Sequence, residues 1–442
     1  MKKKTKFAAV AIAAMASLAI AGSSSAGVSP GDTITKDQAD KVADLVSPGN
    51  LILVKQGMTM KIVPTSRLEW PPPYKSATEK YSPQVSLGPD GSLKGYQAGL
   101  PFPLLDANDP QAAQKVMWNF SYRPLYTDDA ISRNVELASY RPGTTIGNPI
   151  EHFTIGSVGF YNNTGRTEVN PVPTDRDALA AGIRYRFGAY PLLEPSELRG
   201  FGLIRYRNID PKIEDNSWTY SPNTRRVRRM SANALSDVIS MYAAGTGGGG
   251  GAASYASNLD PDSFFGFAAK IEDFNYKLLG EKSMLAVVNG ANSPAKLCES
   301  DGGRSICPEN WEMRRLYVIE ADAKQTSLLG SGVSIPKRIF YIDSEGWFIT
   351  ASDQYDREGK LWKTIATFNA YRDRPVPDAR VAIWPFKRMF QTALVDEDVT
   401  NGFSTVVLSP GFETEEREGW YINMGVASDN FFNPVTMSNA AH

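Results

Sequence analysis

Three stretches late in the chain, Lys337 to Ile342, Trp347 to Tyr355 and Leu361 to Phe368, are rich in aromatic and β-branched residues set between polar ones. The acidic, glycine-ended turns Asp343-Ser344-Glu345-Gly346 and Asp356-Arg357-Glu358-Gly359 separate them, which predicts a three-stranded antiparallel meander. A second strand region runs from Leu198 to Arg207 and through Asn208-Ile209-Asp210-Pro211 into a strand around Trp218. Helical spacing is confined to short segments. Thr35 with Gln38 forms a capping-box pattern ahead of Ala39, Val42, Ala43 and Val46, predicting a helix that stops near Pro48-Gly49. Asp109-Pro110 opens another through Ala112, Ala113, Val116, Met117 and Trp118, and further helices are expected at Thr174 to Ile183 and Ser231 to Tyr242.

Between these elements, Leu51 to Val63 reads as a bent strand or strand pair. Residues 64–110 are crowded with proline and predict a mostly extended strap. Residues 245–251, ending in five consecutive glycines, lack the Gly-Lys-Ser/Thr ending of a phosphate loop and read as a flexible linker. The architecture expected is α+β, a large curved antiparallel sheet with helices packed on one face.

Lys2, Lys3, Lys4 and Lys6 precede an uncharged run from Phe7 to Ala21 and small residues ending at Ala26. That is the pattern of a cleavable secretory signal peptide over residues 1–26, with an apolar core too short to span a membrane. Of 47 Lys and Arg the signal holds four, and of 48 Asp and Glu none, so residues 27–442 are mildly acidic. This excludes the electrostatic footprint of a nucleic-acid binder. The length predicts one large sheet system with insertions or two fused lobes. In an oxidising compartment Cys298 and Cys307, within a Gly/Ser/Pro-rich segment, read as a disulfide closing the loop 298–307.

The common catalytic constellations are missing. Histidines are His152 and His442 alone, and no G-x-S-x-G turn occurs. His152 reads as a strand surface residue. Asp353 to Gly359 lacks the alternating oxygen ligands of a calcium loop and reads as a hairpin turn. No metal or other cofactor is expected. Carboxylate pairs for hydrolysis come from distant strands and leave no local signature, which keeps a periplasmic hydrolase as the alternative. The densest charge is Arg225, Arg226, Arg228 and Arg229 after the aromatic strand Trp218-Thr219-Tyr220. Period-two alternation puts Arg226 and Arg228 on one face and Arg225, Val227 and Arg229 on the other.

The run Trp218-Thr219-Tyr220-Ser221-Pro222-Asn223-Thr224-Arg225-Arg226-Val227-Arg228-Arg229 resembles a W-x-Y-x-P-x-x-R-R-V-R-R stretch. It is found in an uncharacterised family of secreted Gram-negative proteins labelled outer-membrane lipoprotein-sorting-like. Gly99-Leu100-Pro101-Phe102-Pro103, Trp118-Asn119-Phe120, Asp262 to Phe267, Arg314 to Glu320 and Tyr355 to Trp362 match it too. The family is similar in fold to the LolA/LolB lipoprotein-carrier superfamily. That resemblance implies a half-open barrel with helices on its concave side, formed by one large domain over residues 27–442. It also implies a non-catalytic periplasmic carrier or chaperone for a lipid or other hydrophobic molecule, with peripheral membrane contact. Partners implied are a resistance-nodulation-division-type exporter or an outer-membrane protein. The expected ligand or rim residues are Trp218, Tyr220, Arg226 and Arg228. An outer-membrane barrel or associated structural protein is a further alternative, against which the helices and prolines argue.

Overall fold

The computed structural model describes residues 27–230, 266–267, 269–324, 335–380, 382–410 and 419–440. The signal-peptide segment, the expected helix Ser231 to Tyr242, the glycine linker and His442 lie outside the described residues. The N-terminal region departs most from its pattern. After β1 (Thr33–Ile34), Lys36–Val42 forms a 3-10 turn and Thr35 makes no side-chain cap. The first α-helix is α1 (Pro48–Gln56), where Ser47 Oγ accepts from the Asn50 N–H. Pro48 starts the helix because a first-turn residue has no intrahelical partner for its missing N–H. The strand expected from Leu51 is therefore reduced to β2 (Met60–Ile62).

Proline also opens α2 (Pro72–Tyr81) inside the strap, and β3 (Ser86–Leu87) pairs there with β4 (Leu93–Lys94), so the strap is only partly extended. α3 (Ala112–Ser121) begins just beyond Asp109, whose carboxylate accepts from the Gln111 N–H at 2.8 Å. Long strands follow, β5 (Asp129–Tyr140) and β6 (Glu151–Asn162), then α4 (Arg176–Ala180), capped by Asp175. Next come β7 (Ile183–Ala189), β8 (Leu192–Glu194), β9 (Gly202–Asn208), β10 (Asn216–Ser221) and β11 (Arg226–Met230). The second half contains β12 (Phe274–Ala286) and β13 (Glu309–Ala323). The expected meander is β14 (Lys337–Asp343), β15 (Ile349–Tyr355) and β16 (Leu361–Arg372). β17 (Arg388–Asp398), β18 (Phe403–Leu408), β19 (Trp420–Ile422) and α5 (Pro434–Asn439) complete the described chain.

The main ladder is antiparallel in the order β11-β10-β9-β7-β6-β5-β18-β17-β16-β15-β14-β13-β12. Short strands β8 and β19 add to β6 and β5, and β2 joins β13 in parallel. Among the described residues, β11 and β12 each have one strand neighbour, so the sheet is not closed. It is nevertheless strongly curled. Lys270, just ahead of β12, donates to the carbonyls of Pro211 and Ile213 at 2.9 and 2.8 Å, in the connection between β9 and β10. At about 4.8 Å per strand, a flat ladder of this order would hold those ends roughly 50 Å apart.

α3 identifies the concave side. Val116, Met117 and Phe120 share a cluster with Ile319 of β13 and Phe340 of β14. Meanwhile Arg184 of β7 stacks over the Trp118 and Tyr122 rings at 5.3 and 5.0 Å and donates to Ser121. A helix that meets β13, β14 and distant β7 must lie inside the curve, together with α2, whose Tyr74 joins the same cluster. α1 covers the opposite face, packing Leu53 and Val54 with Ala366, Phe368 and Val395. The Cys298–Cys307 disulfide is present, and its loop docks on the end of α1 through Ser300 Oγ, which donates to the Gly57 carbonyl at 2.7 Å.

Candidate functional site

The inner face carries an apolar surface drawn from both halves of the chain. Ile365, Leu394 and Val407 of β16 to β18 form one cluster with Val135, Phe153, Val158 and Ala189, and Phe187 and Met230 pack against it. The cluster belongs to the same face as α2 and α3, because Phe340, Ser352 and Ile365 are successive cross-strand partners. Polar side chains interrupt it. Lys363 alternates with Ile365, Gln354 pairs with Lys363, and Arg338 pairs with Gln354; all three are buried.

Register at the β11 edge sorts the expected site residues. Arg226 pairs with Ser221 and Arg228 with Thr219, whereas Trp218 pairs with Arg229 and Tyr220 with Val227. Cross-strand partners share a face. Arg226 and Arg228 alternate with Met230 and so face inward at the edge strand, both exposed. Trp218 and Tyr220 point the other way, under Phe431 and Met437 of the C-terminal segment, with Trp218 edge-on to Tyr206 at 4.9 Å. The structure thus brings Arg226 and Arg228 together and separates them from Trp218 and Tyr220. The physical reason is the one-residue alternation along β10, which lets α5 claim its aromatic side. Arg225 occupies the turn with a φ of 52°, and Arg229 donates to Asn216.

Two inward residues were missed by the sequence reading. Phe187 pairs with Arg205, Arg205 with Ser217, and Ser217 with Met230, which places Arg205 and Ser217 side by side within the apolar surface. Arg205 is 8% exposed and Ser217 is fully buried. Alternation in Leu203-Ile204-Arg205-Tyr206-Arg207 does put both arginines on one face, but nothing in the sequence says which face is covered. Arg207, two residues along, meets Asp215 at 2.7 Å.

Two carboxylates raised by burial lie on the outer face, beneath α1. Burial pushes Asp353 up to about 6, against hydrogen bonds from Thr364 Oγ1 at 2.9 Å, the Gly49 N–H at 3.3 Å and Ser47 Oγ at 3.5 Å. Burial pushes Glu397 up to about 7, against the nearby Arg304 guanidinium and Gln56 amide. Both residues flank Thr364 on adjacent strands, so they lie side by side and not across a cleft. His152 is a partly exposed strand residue on β6, 3.5 Å from the carboxylates of Glu136 and Glu194.

A family model described as "Protein of unknown function (DUF1329)" matches residues 33–407. An uncharacterized protein of Pseudomonas aeruginosa is 23% identical over 417 residues, covering 92% of this chain and 80% of its own. Among solved structures, a domain named for outer-membrane lipoprotein sorting from Vibrio parahaemolyticus aligns with a TM-score of 0.43 at 14% identity, covering 73% of this chain and 97% of its own. A LolA superfamily protein from Nitrosomonas europaea aligns with a TM-score of 0.35 at 14% identity, covering 67% and 90%. No helix among the described residues is long and apolar enough to cross a membrane.

Proposed function

We propose, from the premise that this chain belongs to the DUF1329 family of proteins of unknown function, that it is a non-catalytic periplasmic carrier or chaperone for a lipid or other hydrophobic molecule. The observation that carries this reading is the inner face, where apolar side chains of β5, β6, β7, β16, β17 and β18 form one surface inside an unclosed curl. Removing an acyl chain from water onto such a surface is favourable by about 0.8 kcal/mol per CH₂, so binding needs no reacting group. At the open edge Arg226 and Arg228 point the same way as Met230, where an anionic headgroup or an envelope transport partner would meet them. The hydrolase alternative draws no support from Asp353 and Glu397, which lie beneath α1 on the opposite face.

The test uses the full chain purified from the periplasm. Organic extraction followed by mass spectrometry is expected to recover bound lipid, and the delipidated protein is expected to bind a fluorescent fatty-acid probe. A protein that comes out empty and ignores the probe would overturn the carrier reading.

A further inference from the structure

We infer that Arg205 and Ser217 form an anion-binding subsite inside the concavity, made for the carboxylate or phosphate of an amphiphile whose chain lies on the neighbouring apolar surface. The inference rests on the carrier reading and deepens it by assigning the ligand a negative charge and a direction, with the charged end inward.

A guanidinium keeps its charge at any working pH, and a buried cation without a counter-charge is expensive. Arg205 is 8% exposed, and among the described residues its side chain has no hydrogen bond and no carboxylate partner; its Nε is buried without an acceptor. Its guanidinium carbon lies over the Phe187 ring, 5.9 Å from the centroid. Arg207 gives an internal comparison. It shares the face two residues along the same strand, and the chain supplies it with Asp215 at 2.7 Å, which Lys270 also approaches at 3.7 Å. Among the described residues Arg205 receives no such partner.

Ser217 repeats the pattern across the ladder. It is the direct cross-strand partner of Arg205, fully buried, and among the described residues its hydroxyl has no hydrogen-bond partner. Opposed residues in an antiparallel pair hold their β-carbons about 5 Å apart, so the guanidinium fork and the hydroxyl converge on one space. A carboxylate or phosphate oxygen would satisfy both, and arginine is the cation whose planar fork matches those groups. Phe187 and Met230 bracket the pair on the same ladder row and pack against the cluster of Val158, Leu394 and Val407, which gives an attached chain its apolar bed. On the next inward row Thr219 pairs with Arg228, so the rim arginines lie along the path to the pair.

The experiment compares dodecanoate, dodecanol and inorganic phosphate by calorimetry on the delipidated full chain, in the wild type and in Arg205→Met, Arg205→Lys and Ser217→Ala. Wild type is expected to bind dodecanoate more tightly than dodecanol. Arg205→Met should lower dodecanoate affinity about 10- to 100-fold while leaving dodecanol affinity within about twofold, as expected for loss of a charge-assisted hydrogen bond. Ser217→Ala should lower dodecanoate affinity by a smaller factor. Arg205→Lys, which keeps the charge, should retain most of the preference, and Ser217→Ala preserves the test if the methionine variant does not fold. A dodecanoate-to-dodecanol ratio unmoved by Arg205→Met and by Ser217→Ala overturns the subsite while leaving the carrier reading intact. Phosphate bound as tightly as dodecanoate overturns the amphiphile assignment, since the chain would then contribute nothing. Binding of neither chain molecule overturns both readings.

Discussion

The backbone N–H of Gly49 donates to the buried Asp353 carboxylate at 3.3 Å, and a β-carbon at position 49 would lie 2.4 Å from that same group. It would also fall 1.9 Å from Thr364 Oγ1, so α1 reaches the sheet at its N-terminus only because residue 49 has no side chain. Neither obstacle is the free end of a flexible side chain, since Asp353 and Thr364 are buried and bonded to each other. Gly49→Ala is therefore expected to destabilise the fold by about 2 to 3 kcal/mol, the cost of overpacking, despite alanine's better helix propensity. Urea unfolding measures it, and a variant as stable as wild type would mean that α1 can shift without loss.

The same carboxylate makes stability depend on pH. Asp353 and Glu397 are raised by burial from 3.8 and 4.5 to about 6 and about 7. The folded state thus holds their protons more tightly than the unfolded chain. Their contribution is fully present below about pH 4 and is lost as the pH rises through about 6 for Asp353 and about 7 for Glu397, roughly 3 kcal/mol apiece. The groups facing Asp353 are Ser47, Gly49, Tyr341 and Thr364, and those facing Glu397 are Gln56, Arg304, Asp301 and Asp398. Glu397→Gln should remove the upper part of this decline, so that wild type is the less stable of the two near pH 8 and the curves converge as the pH falls from 8 to 5. Parallel stability curves would refute the assignment.

Trp218 and Arg228 sit one register row apart on neighbouring strands yet face opposite sides of the sheet, so their substitutions should have different consequences. Trp218→Ala opens the packing beneath α5 and is expected to lower the melting temperature, at a cost of about 3 kcal/mol. Arg226→Gln with Arg228→Gln removes exposed charges and should leave melting nearly unchanged while weakening binding of anionic amphiphiles, with an effect that shrinks at high salt. Loss of melting temperature without loss of binding in the double variant would make these arginines structural.

How much of this was legible beforehand depends on whether the signal is local. The meander carried its own turn residues, Asp343 to Gly346 and Asp356 to Gly359, and appears where they place it. Alternation also separated Arg226 and Arg228 from Val227 and Arg229 correctly, whereas Arg225 falls in the turn ahead of β11 and not on its outer face. Pro48 was ambiguous because proline both ends and begins helices, and the deciding feature was Ser47 as the cap. Which side of β10 faces inward was not legible at all. It depends on Phe431 and Met437, about two hundred residues away, covering the side that holds Trp218 and Tyr220. Arg205 was missed for the same reason, since its burial is set by the curl of the sheet and not by its neighbours in sequence.

Cys298 and Cys307 enclose the loop that braces the far end of α1, where Ser300 holds the Gly57 carbonyl and Arg304 donates to the Gln56 amide oxygen at 2.5 Å. Their sequence separation of 9 closes a short loop. Cys298→Ser with Cys307→Ser should cost about 2 to 3 kcal/mol by the loop-entropy argument, seen as earlier unfolding in urea. Addition of reductant should reproduce the change in wild type and do nothing to the variant.

Arg314 is held at the base of the β14–β15 turn by a two-pronged contact with Asp343, Nε to Oδ2 at 2.8 Å and Nη2 to Oδ1 at 3.2 Å. Both side chains are almost wholly buried, at 2% and 1% exposure. Its Nη1 donates to the Ser66 carbonyl at 2.6 Å and thereby ties down the start of the proline-rich strap. Removing one partner of such a pair leaves the other charge buried alone, so Arg314→Leu should cost about 3 to 5 kcal/mol. Asp343 has a second duty, because its Oδ1 accepts from the N–H groups of Glu345 and Gly346 at 3.0 and 2.6 Å. Asparagine keeps that acceptor without the charge. Arg314→Leu combined with Asp343→Asn is therefore expected to be more stable than Arg314→Leu alone, since the turn survives and the Asp343 charge is gone, leaving Glu312 and Glu345 as the other carboxylates that paired with Arg314. A double variant less stable than the single one would mean that the carboxylate stabilises the turn even without its arginine.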